Sequence, residues 1–440
     1  MTPLDKKLAE MIPSVREERR ALARDHGDEA VATVSITQLL GGLRGVRGLV
    51  TETSVLDPHE GIRFRGHTIP ELLQRLPRAQ GGTQPLPEGI FHLLLTGELP
   101  SRSDAMEISA EWRRRERLPE HVTRVIDAVP RDAHPMTQLT IGIAAMQTES
   151  VFARRYREGI ERAQLWEPTL EDAMTLIARL PLLAAYIYRR SFRGGEHLPA
   201  ADRTLDWAGN FARMLGFEDP GFAELLRLYL FLLSDHEGGN VSAHTVHLVG
   251  SALSDPYLAL SAGMNGLAGP LHGLANQEAL RFILEMRDRL GGGVPARAAI
   301  ESHVRQTLET GRVIPGYGHA VLRTTDPRYV AQRNFALAHM PDDELFRIVD
   351  AMQEIVPAVL RRHGKAKSPW PNVDAHTGVL LVHYGLEEHD FYTVLFGVSR
   401  ALGTLASLVW DRALGLPIER PKSVSLEWLR EHVREMTPKA

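Results

Sequence analysis

Three segments of the sequence combine loop-forming glycine or proline with a histidine or an aspartate, side chains that enzymes commonly use as acids and bases. They are residues 269–276 with His272, residues 315–328 with His319, and residues 370–376 with Asp374. His272 precedes a helix that we predict to begin near Leu274, and the positive end of that helix disfavours an imidazolium. A neutral histidine there can donate a hydrogen bond. Each residue alone would more often be structural, because glycine-rich turns and buried histidines are common.

Arg400 stands in the middle of residues 391–410, an apolar stretch with helical spacing. Valine and leucine cover much of the circumference around it, so we expect the guanidinium to be buried. A buried guanidinium without an anion is unfavourable by several kcal/mol. Its partner is therefore either a structural aspartate or glutamate or an anionic substrate, and the sequence leaves both open.

Other patterns that could indicate a functional site are incomplete. Residues 316–321 begin like a dinucleotide-binding fingerprint but lack its third glycine and a preceding strand. Ser399 stands in a pattern similar to a nucleophile elbow without its last glycine, and the surrounding helical pattern favours a packing residue. A metal-dependent hydrolase could use His236, His244 and His247, but no HExxH spacing is present. The sequence contains no cysteine, which excludes thiolate nucleophiles and thiolate metal ligands.

The composition indicates a compact globular protein. Of its 440 residues 43% are hydrophobic, and 51 basic residues nearly balance 55 acidic ones, for a net charge of −4. That balance argues against disorder and against a nucleic-acid binder. Apolar residues recur at helical spacing in most segments, whereas residues 54–66 alternate around a turn and predict a small hairpin. Residues 256–277 are too polar to cross a membrane, and no membrane contact is expected.

Long strings of the sequence match a known family in order. They include residues 41–48, 60–66, 234–240, 264–278, 312–328, 364–374 and 396–402. Over residues 36–429 the sequence resembles the citrate synthase family, close to its mitochondrial type. The resemblance implies an all-α, two-domain citrate synthase-like helical fold, with a minor β-hairpin near residues 54–66. The large domain would comprise residues 1–273 plus 386–440, and residues 274–385 would form a small domain that closes over the site.

The resemblance also implies an acyltransferase that condenses acetyl-CoA with oxaloacetate and hydrolyses the citryl thioester to citrate and CoA, a reaction of the tricarboxylic acid cycle. Asp374 matches the base that removes a proton from the thioester methyl group, and His272 matches the neutral donor to the enolate oxygen. His319 matches the group that polarises the ketone. The oxaloacetate contacts would come from His236, His319, Arg328, Arg400 and Arg420. A homodimer is implied, with Arg420 reaching the partner's site.

The resemblance assigns a further set of residues to CoA. Cations would face the phosphates, namely Arg44, Arg47, Arg162, Lys365 and Lys367. The backbone near Val313, Gly316 and Gly318 would approach the adenine. No metal and no other cofactor is expected, since the reaction runs on proton transfer and fixed dipoles. A 2-methylcitrate synthase that uses propionyl-CoA is the alternative, because one methylene gives only about 1–3 kcal/mol of discrimination.

The location in the cell is predicted from the first 24 residues. They mix four acids with the basic residues and contain no apolar stretch of signal-peptide length. This pattern favours the bacterial cytoplasm. A mitochondrial matrix protein stays open if a transit peptide has been removed or is atypical.

Overall fold

The computed structural model describes residues 2–195, 198–364, 366 and 368–436. Within these residues the regular secondary structure is almost entirely helical, and one small sheet interrupts the helices. The expected all-α class is thereby confirmed.

Thirteen helices of the described residues precede His272. They are α1 (Pro3–His26), α2 (Ile36–Leu40), α3 (Ile69–Arg75), α4 (Pro87–Thr96), α5 (Arg102–Arg115), α6 (Glu120–Ala128), α7 (Pro135–Ala145), α8 (Val151–Arg157), α9 (Trp166–Phe192), α10 (Trp207–Leu215), α11 (Pro220–Leu232), α12 (Val241–Ser251) and α13 (Pro256–Leu267). Capping side chains and prolines determine where many of these helices begin. Thr2, Thr68 and Ser101 form capping boxes at α1, α3 and α5, and proline opens several others.

Seven further helices follow in the described part of the chain. They are α14 (Ala275–Arg289), α15 (Arg297–Glu309), α16 (Pro327–His339), α17 (Glu344–His363), α18 (Asp374–His383), α19 (Tyr392–Leu414) and α20 (Leu426–Met436). Short 3-10 helices lie at Met146–Glu149, Arg162–Gln164 and His389–Phe391. Helix α14 packs on α18 and α17, and α15 packs on α17. Helix α16 packs on α18 and also contacts α3 and α11.

The core of the protein is built around α9 and α19, which pack along each other. By length and composition, residues His389–Leu414 could cross a membrane, but nearly all of this segment is buried inside the protein. It is therefore a core helix, and Arg400 is carried through the interior on it. Because the helix is buried on all sides, its residues are apolar around the whole circumference.

The predicted hairpin is present as two antiparallel strands, β1 (Ser54–Asp57) and β2 (Gly61–Phe64), and a third short strand, β3 (His67–Thr68), pairs with β2. Asp57 closes the turn by accepting hydrogen bonds from two backbone N–H groups, at 2.7 and 2.8 Å. Gly61 has a φ of +84°, and a Cβ there would lie 2.4 Å from the Pro327 ring at the start of α16. The backbone N–H of Arg323 donates to Pro58 O at 2.7 Å, so the hairpin turn contacts the loop that follows His319.

Candidate active site

His272 lies in the turn between α13 and α14, which begins at Ala275. Its Nε2 accepts a hydrogen bond from the backbone N–H of Ser242 at 3.3 Å and lies 3.0 Å from the Ser242 hydroxyl. A backbone N–H can only donate, so Nε2 carries the lone pair and Nδ1 carries the proton. Burial, with a smaller contribution from the charge of Arg400, lowers the pKa of His272 to about 4. The imidazole is neutral at pH 7 and presents Nδ1–H as a donor.

His319 is held in the opposite tautomer. Its Nδ1 accepts from the backbone N–H groups of Val321 and Leu322, both at 3.0 Å. The proton of the neutral ring therefore lies on Nε2. Burial lowers the pKa of His319, and Arg328 adds to the effect. The two histidines are thus fixed donors that do not need to ionise.

Asp374 is the first residue of α18, and Asn372 fixes its position. The Asn372 side chain accepts from the backbone N–H of Asp374 at 3.0 Å and donates to Gly318 O at 2.9 Å. Two backbone hydrogen bonds, each 2.9 Å long, join residues 316–318 to residues 370–372. The two segments that carry His319 and Asp374 are therefore joined by backbone hydrogen bonds. Burial raises the pKa of Asp374 to about 6, although Arg328 opposes the increase.

Gly316 permits the close approach of these two segments through its backbone conformation and its lack of a side chain. Its φ is +78°, in the left-handed region that favours glycine. A Cβ at this position would lie 2.6 Å from Ala375 Cα and 2.7 Å from Ala375 Cβ. Any larger residue would therefore push on the residue that follows Asp374.

Arg400 is 1% exposed, as the apolar pattern predicts. Its Nη1 donates to Asn240 Oδ1 at 3.1 Å, its Nε donates to Leu233 O at 3.4 Å, and its guanidinium lies over the Phe396 ring. Within the described residues no carboxylate lies at ion-pair distance from it. Burial lowers the pKa of Arg400 to about 10, while Asp235 raises it. The guanidinium therefore remains cationic at pH 7, held mainly by neutral acceptors.

Arg328, near the start of α16, is also buried, but it has a carboxylate partner. Its Nε and Nη2 donate to Asp326 at 3.1 and 2.8 Å. Asp326 is the N-cap of α16 and accepts the backbone N–H of Arg328 at 2.9 Å. The carboxylate of Asp326 thus fixes the direction of the Arg328 side chain.

His236 lies within the electrostatic reach of the other candidates. Burial lowers its pKa well below the usual value, and Arg328, Arg400, His319 and His272 lower it further. Its Nδ1 is buried without a hydrogen-bond partner in the described part of the chain. A buried ring nitrogen without a partner costs about 1–3 kcal/mol, so this atom is suited to a polar ligand group.

Of the residues that the family resemblance assigns to CoA, some lie beside the catalytic candidates and others are exposed. Val313 and Gly318 line a cavity of about 370 Å³ beside His319. Gly316, between them in the chain, contacts Ala375 instead. Arg44, Arg47 and Arg162 are exposed, and Arg162 donates to Gly415 O at 3.4 Å. Lys365 and Lys367 lie outside the described residues.

Arg420 is exposed, in the irregular segment between α19 and α20. Among the residues that the structure describes, it has neither a hydrogen bond nor an ion pair. Its guanidinium is thus available to a group outside this chain.

The residues of the incomplete nucleophile-elbow and metal-site patterns have structural contacts instead. Ser399 is buried and donates to Leu230 O at 2.8 Å, which makes it a packing residue. His244 and His247 contact carboxylates, Glu419 and Asp411 respectively, both at 2.8 Å. Across the described ranges no three histidine, aspartate or glutamate side chains form a group suited to a metal ion.

Sequence reasoning missed the residues that hold the candidates in place. Asn240 and Ser242 contact Arg400 and His272, Asp326 holds Arg328, and Asn372 joins the two loops. Two of them carry a local signal, since Asn240 and Asp326 are N-cap residues directly before α12 and before the proline of α16. Asn372 stands two residues before Asp374, in a position from which an Asn side chain reaches the backbone two residues on.

Comparison with known proteins assigns the family. The family model described as "Citrate synthase, C-terminal domain" matches residues 42–422. The chain is 54% identical to the probable mitochondrial citrate synthase of Glossina morsitans morsitans over 428 residues, covering 97% of this chain and 92% of the relative. It is also 54% identical to the mitochondrial citrate synthase of Daucus carota over 432 residues, covering 98% and 91%.

Solved structures agree with this assignment. The citrate synthase of Pyrobaculum aerophilum superposes with a TM-score of 0.77 at 28% identity, covering 90% of this chain and 97% of that one. The citrate synthase of Thermotoga maritima MSB8 gives a TM-score of 0.71 at 25% identity, covering 89% and 96%. The chain belongs to the citrate synthase family.

Proposed function

We propose that this protein condenses acetyl-CoA with oxaloacetate and hydrolyses the resulting citryl thioester to citrate and CoA. Its family membership and its 54% identity to two curated citrate synthases support this activity. The observation that carries the proposal is the pair of neutral imidazoles with opposite tautomers, His272 and His319, together with the hydrogen bonds of Asn372 that join the segments of His319 and Asp374. No finding supports the 2-methylcitrate alternative.

The roles that the family resemblance implies are compatible with these tautomers. Asp374, with a pKa of about 6, is ionised at pH 7 and removes a proton from the thioester methyl group. Nδ1–H of His272 donates to the enolate oxygen as its charge develops. Nε2–H of His319 donates to the ketone oxygen of oxaloacetate, whose carbon is then attacked by the enolate carbon. A new carbon–carbon bond forms, and water then cleaves the thioester to release the free thiol.

The carboxylates of oxaloacetate need cations, and of the three candidate arginines Arg328 and Arg400 are buried whereas Arg420 is exposed. Arg400 gains a charged partner when the substrate binds, which offsets the cost of its burial. Arg328 is already aimed by Asp326 and can bind the substrate with the donors that Asp326 leaves free. His236 contributes its unpaired Nδ1.

The proposed CoA site extends from these groups. The cavity beside His319, which Val313 and Gly318 line, is the proposed place of the adenine. Arg44, Arg47 and Arg162 are exposed cations suited to phosphates, and Lys365 and Lys367 are assigned by family resemblance alone.

Closure of two domains would exclude water from this site. In the proposed division, residues 1–273 plus 386–440 form the large domain and residues 274–385 the small one. Oxaloacetate binds first, because its charges draw Arg328 of one domain toward Arg400 of the other. Calorimetry tests this order, and equal acetyl-CoA affinity with and without oxaloacetate would contradict it.

We further propose a homodimer in which Arg420 reaches the partner's oxaloacetate site. Large apolar side chains are exposed along residues 31–50 and on α20, including Val31, Leu40, Val50 and Leu426. Groups of exposed apolar side chains are typical of protein interfaces, which supports this proposal. Co-expression of Asp374→Asn with Arg420→Ala tests the proposal, since one site of each mixed dimer would then hold both native residues.

The mixed population should recover roughly a quarter of the wild-type activity, because about half of its dimers are mixed and one site in each works. The assay uses low oxaloacetate, where both parent variants are nearly inactive. Activity no higher than the sum of the parents would show that Arg420 acts within its own subunit or not at all.

Release of free thiol from acetyl-CoA and oxaloacetate tests the reaction itself, with propionyl-CoA as the comparison. We expect acetyl-CoA to be the better substrate and thiol release to require oxaloacetate. Asp374→Asn should abolish turnover and retain oxaloacetate binding. Faster turnover of propionyl-CoA, or loss of oxaloacetate binding in that variant, would contradict the assignment.

The names of the curated relatives include the word mitochondrial, which supports the mitochondrial matrix as the location. The bacterial cytoplasm, favoured by the first residues of the sequence, gains no support from these relatives.

A further inference from the structure

In the described part of the chain, the hydrogen bonds and ion pairs that join the segment of Arg420 to the helices before it all involve Glu419. From Pro417 to Trp428 every side chain is exposed except that of Glu419. The segment has no helix or strand until α20 begins at Leu426. Its course over the surface therefore depends strongly on what holds Glu419.

Helix α12 binds Glu419 through two hydrogen bonds and one longer ion-pair contact. Glu419 Oε1 lies 2.8 Å from His244 Nε2, and Oε2 lies 3.6 Å from His247 Nε2. The backbone N–H of Glu419 donates to Ser251 Oγ at 3.0 Å. His244 and His247 are three residues apart and so share one face of the helix.

His247 joins Glu419 to the core helix α19. Its Nδ1 lies 2.8 Å from Asp411 Oδ2, and because a carboxylate only accepts, Nδ1 carries a proton. A neutral ring would then turn the lone pair of Nε2 toward Glu419, whereas an imidazolium turns an N–H toward it. The Asp411 hydrogen bond raises the pKa of His247, with Glu419 adding to the effect and burial and Arg412 opposing it.

The same cluster borders the proposed oxaloacetate site of its own subunit. His247 and Asp411 line a small cavity together with Asp235 and His236. The titratable groups that face His247 are therefore Asp411 and Arg412 of α19, Glu419 of the segment that carries Arg420, and Asp235 and His236 across the cavity. His244 is its neighbour on α12.

We propose that Glu419, clamped by His244 and His247, is a positioning residue that sets the direction in which Arg420 leaves the surface toward the partner's oxaloacetate. The inference rests on the proposed role of Arg420 in the partner site. An anchor one residue away removes much of the chain entropy that Arg420 would otherwise lose on binding. The clamp thus acts on substrate affinity through Arg420 and makes no contact with substrate itself.

The test compares Glu419→Gln, Arg420→Ala and the double variant by their KM for oxaloacetate and their kcat. Arg420→Ala should raise KM about 10- to 100-fold, the loss of a charge-assisted hydrogen bond. Glu419→Gln should raise it about 3- to 10-fold and add nothing in the Arg420→Ala background. His247→Gln should behave like Glu419→Gln. Glu218→Gln, which changes an exposed carboxylate between α10 and α11, is the control and should leave KM unchanged.

The pH profile gives a second readout that a purely structural role would not change. Because the pKa of His247 is raised, its proton is lost as the pH increases through that pKa. In the wild type, KM for oxaloacetate should rise with this loss, and Glu419→Gln should remove that rise. Independent effects of Glu419→Gln and Arg420→Ala, or an unchanged KM in Glu419→Gln, would overturn the inference. A wild-type KM in Arg420→Ala would instead refute the proposed role of Arg420 on which the inference rests.

Discussion

Replacing Gly316 by alanine should slow catalysis without touching a catalytic group. The new Cβ would lie 2.6 Å from Ala375 Cα, about 1 Å closer than carbon atoms approach in favourable contact. Relief of that clash moves the start of α18, and with it Asp374, by about 1 Å. A misplacement of this size can cost about 10²-fold in rate, so we expect kcat to fall by about that factor.

The backbone cost of the same substitution needs its own control. An alanine at a φ of +78° destabilises the fold by about 1–2 kcal/mol wherever it stands. Gly81 has a φ of +74° in a surface loop, and a Cβ there would meet nothing within 4 Å. Gly81→Ala should therefore show a similar loss of stability with a wild-type kcat.

The assay is thiol release at saturating concentrations of both substrates, with urea unfolding of both variants alongside. Lowered stability in each variant and a lowered kcat in Gly316→Ala alone would support the reasoning. A wild-type kcat in Gly316→Ala, at the stability of Gly81→Ala, would refute the claim that this glycine positions Asp374.

Two further predictions concern pH. Since Asp374 must be ionised to act as the base and burial raises its pKa to about 6, kcat/KM should fall about tenfold per pH unit below that value, and a flat profile there would contradict its role. Burial, with Asp206, raises the pKa of Glu88 to about 7, so the folded state binds the extra proton. Stability should thus decline by up to about 1.4 kcal/mol per pH unit from about 4.5 to 7. Glu88→Gln should flatten this decline in urea unfolding, and an unchanged slope would exclude Glu88 as its source.

The sequence predicted those features that depend on local pattern. The apolar run around Arg400 indicated a buried guanidinium in need of an anion, and the side chain is buried among neutral acceptors. The alternation of residues 54–66 predicted the hairpin, although the third strand, β3, was not expected. Periodicity repeats over short distances, so a single sequence is sufficient to detect it.

Features that depend on contacts between distant segments were not readable. His272 was expected to be neutral because of the helix that follows, but burial and Arg400, 128 positions along the sequence, are the causes given by the structure. The tautomer of His272 depends on Ser242, and the position of Asp374 depends on the backbone hydrogen bonds between residues 316–318 and 370–372. Such contacts are fixed only when the chain has folded.

The hairpin turn has a consequence for the proposed domain motion. It precedes His272 by more than 200 positions, yet Pro58 O accepts from Arg323 and His59 O accepts from the Thr324 hydroxyl at 2.9 Å. A rotation of residues 274–385 as a rigid body must either carry this turn along or break both hydrogen bonds. If both hydrogen bonds persist, the hairpin turn moves together with residues 274–385, although it belongs to residues 1–273 in the chain. The hinge of the motion would then differ from the proposed domain boundary.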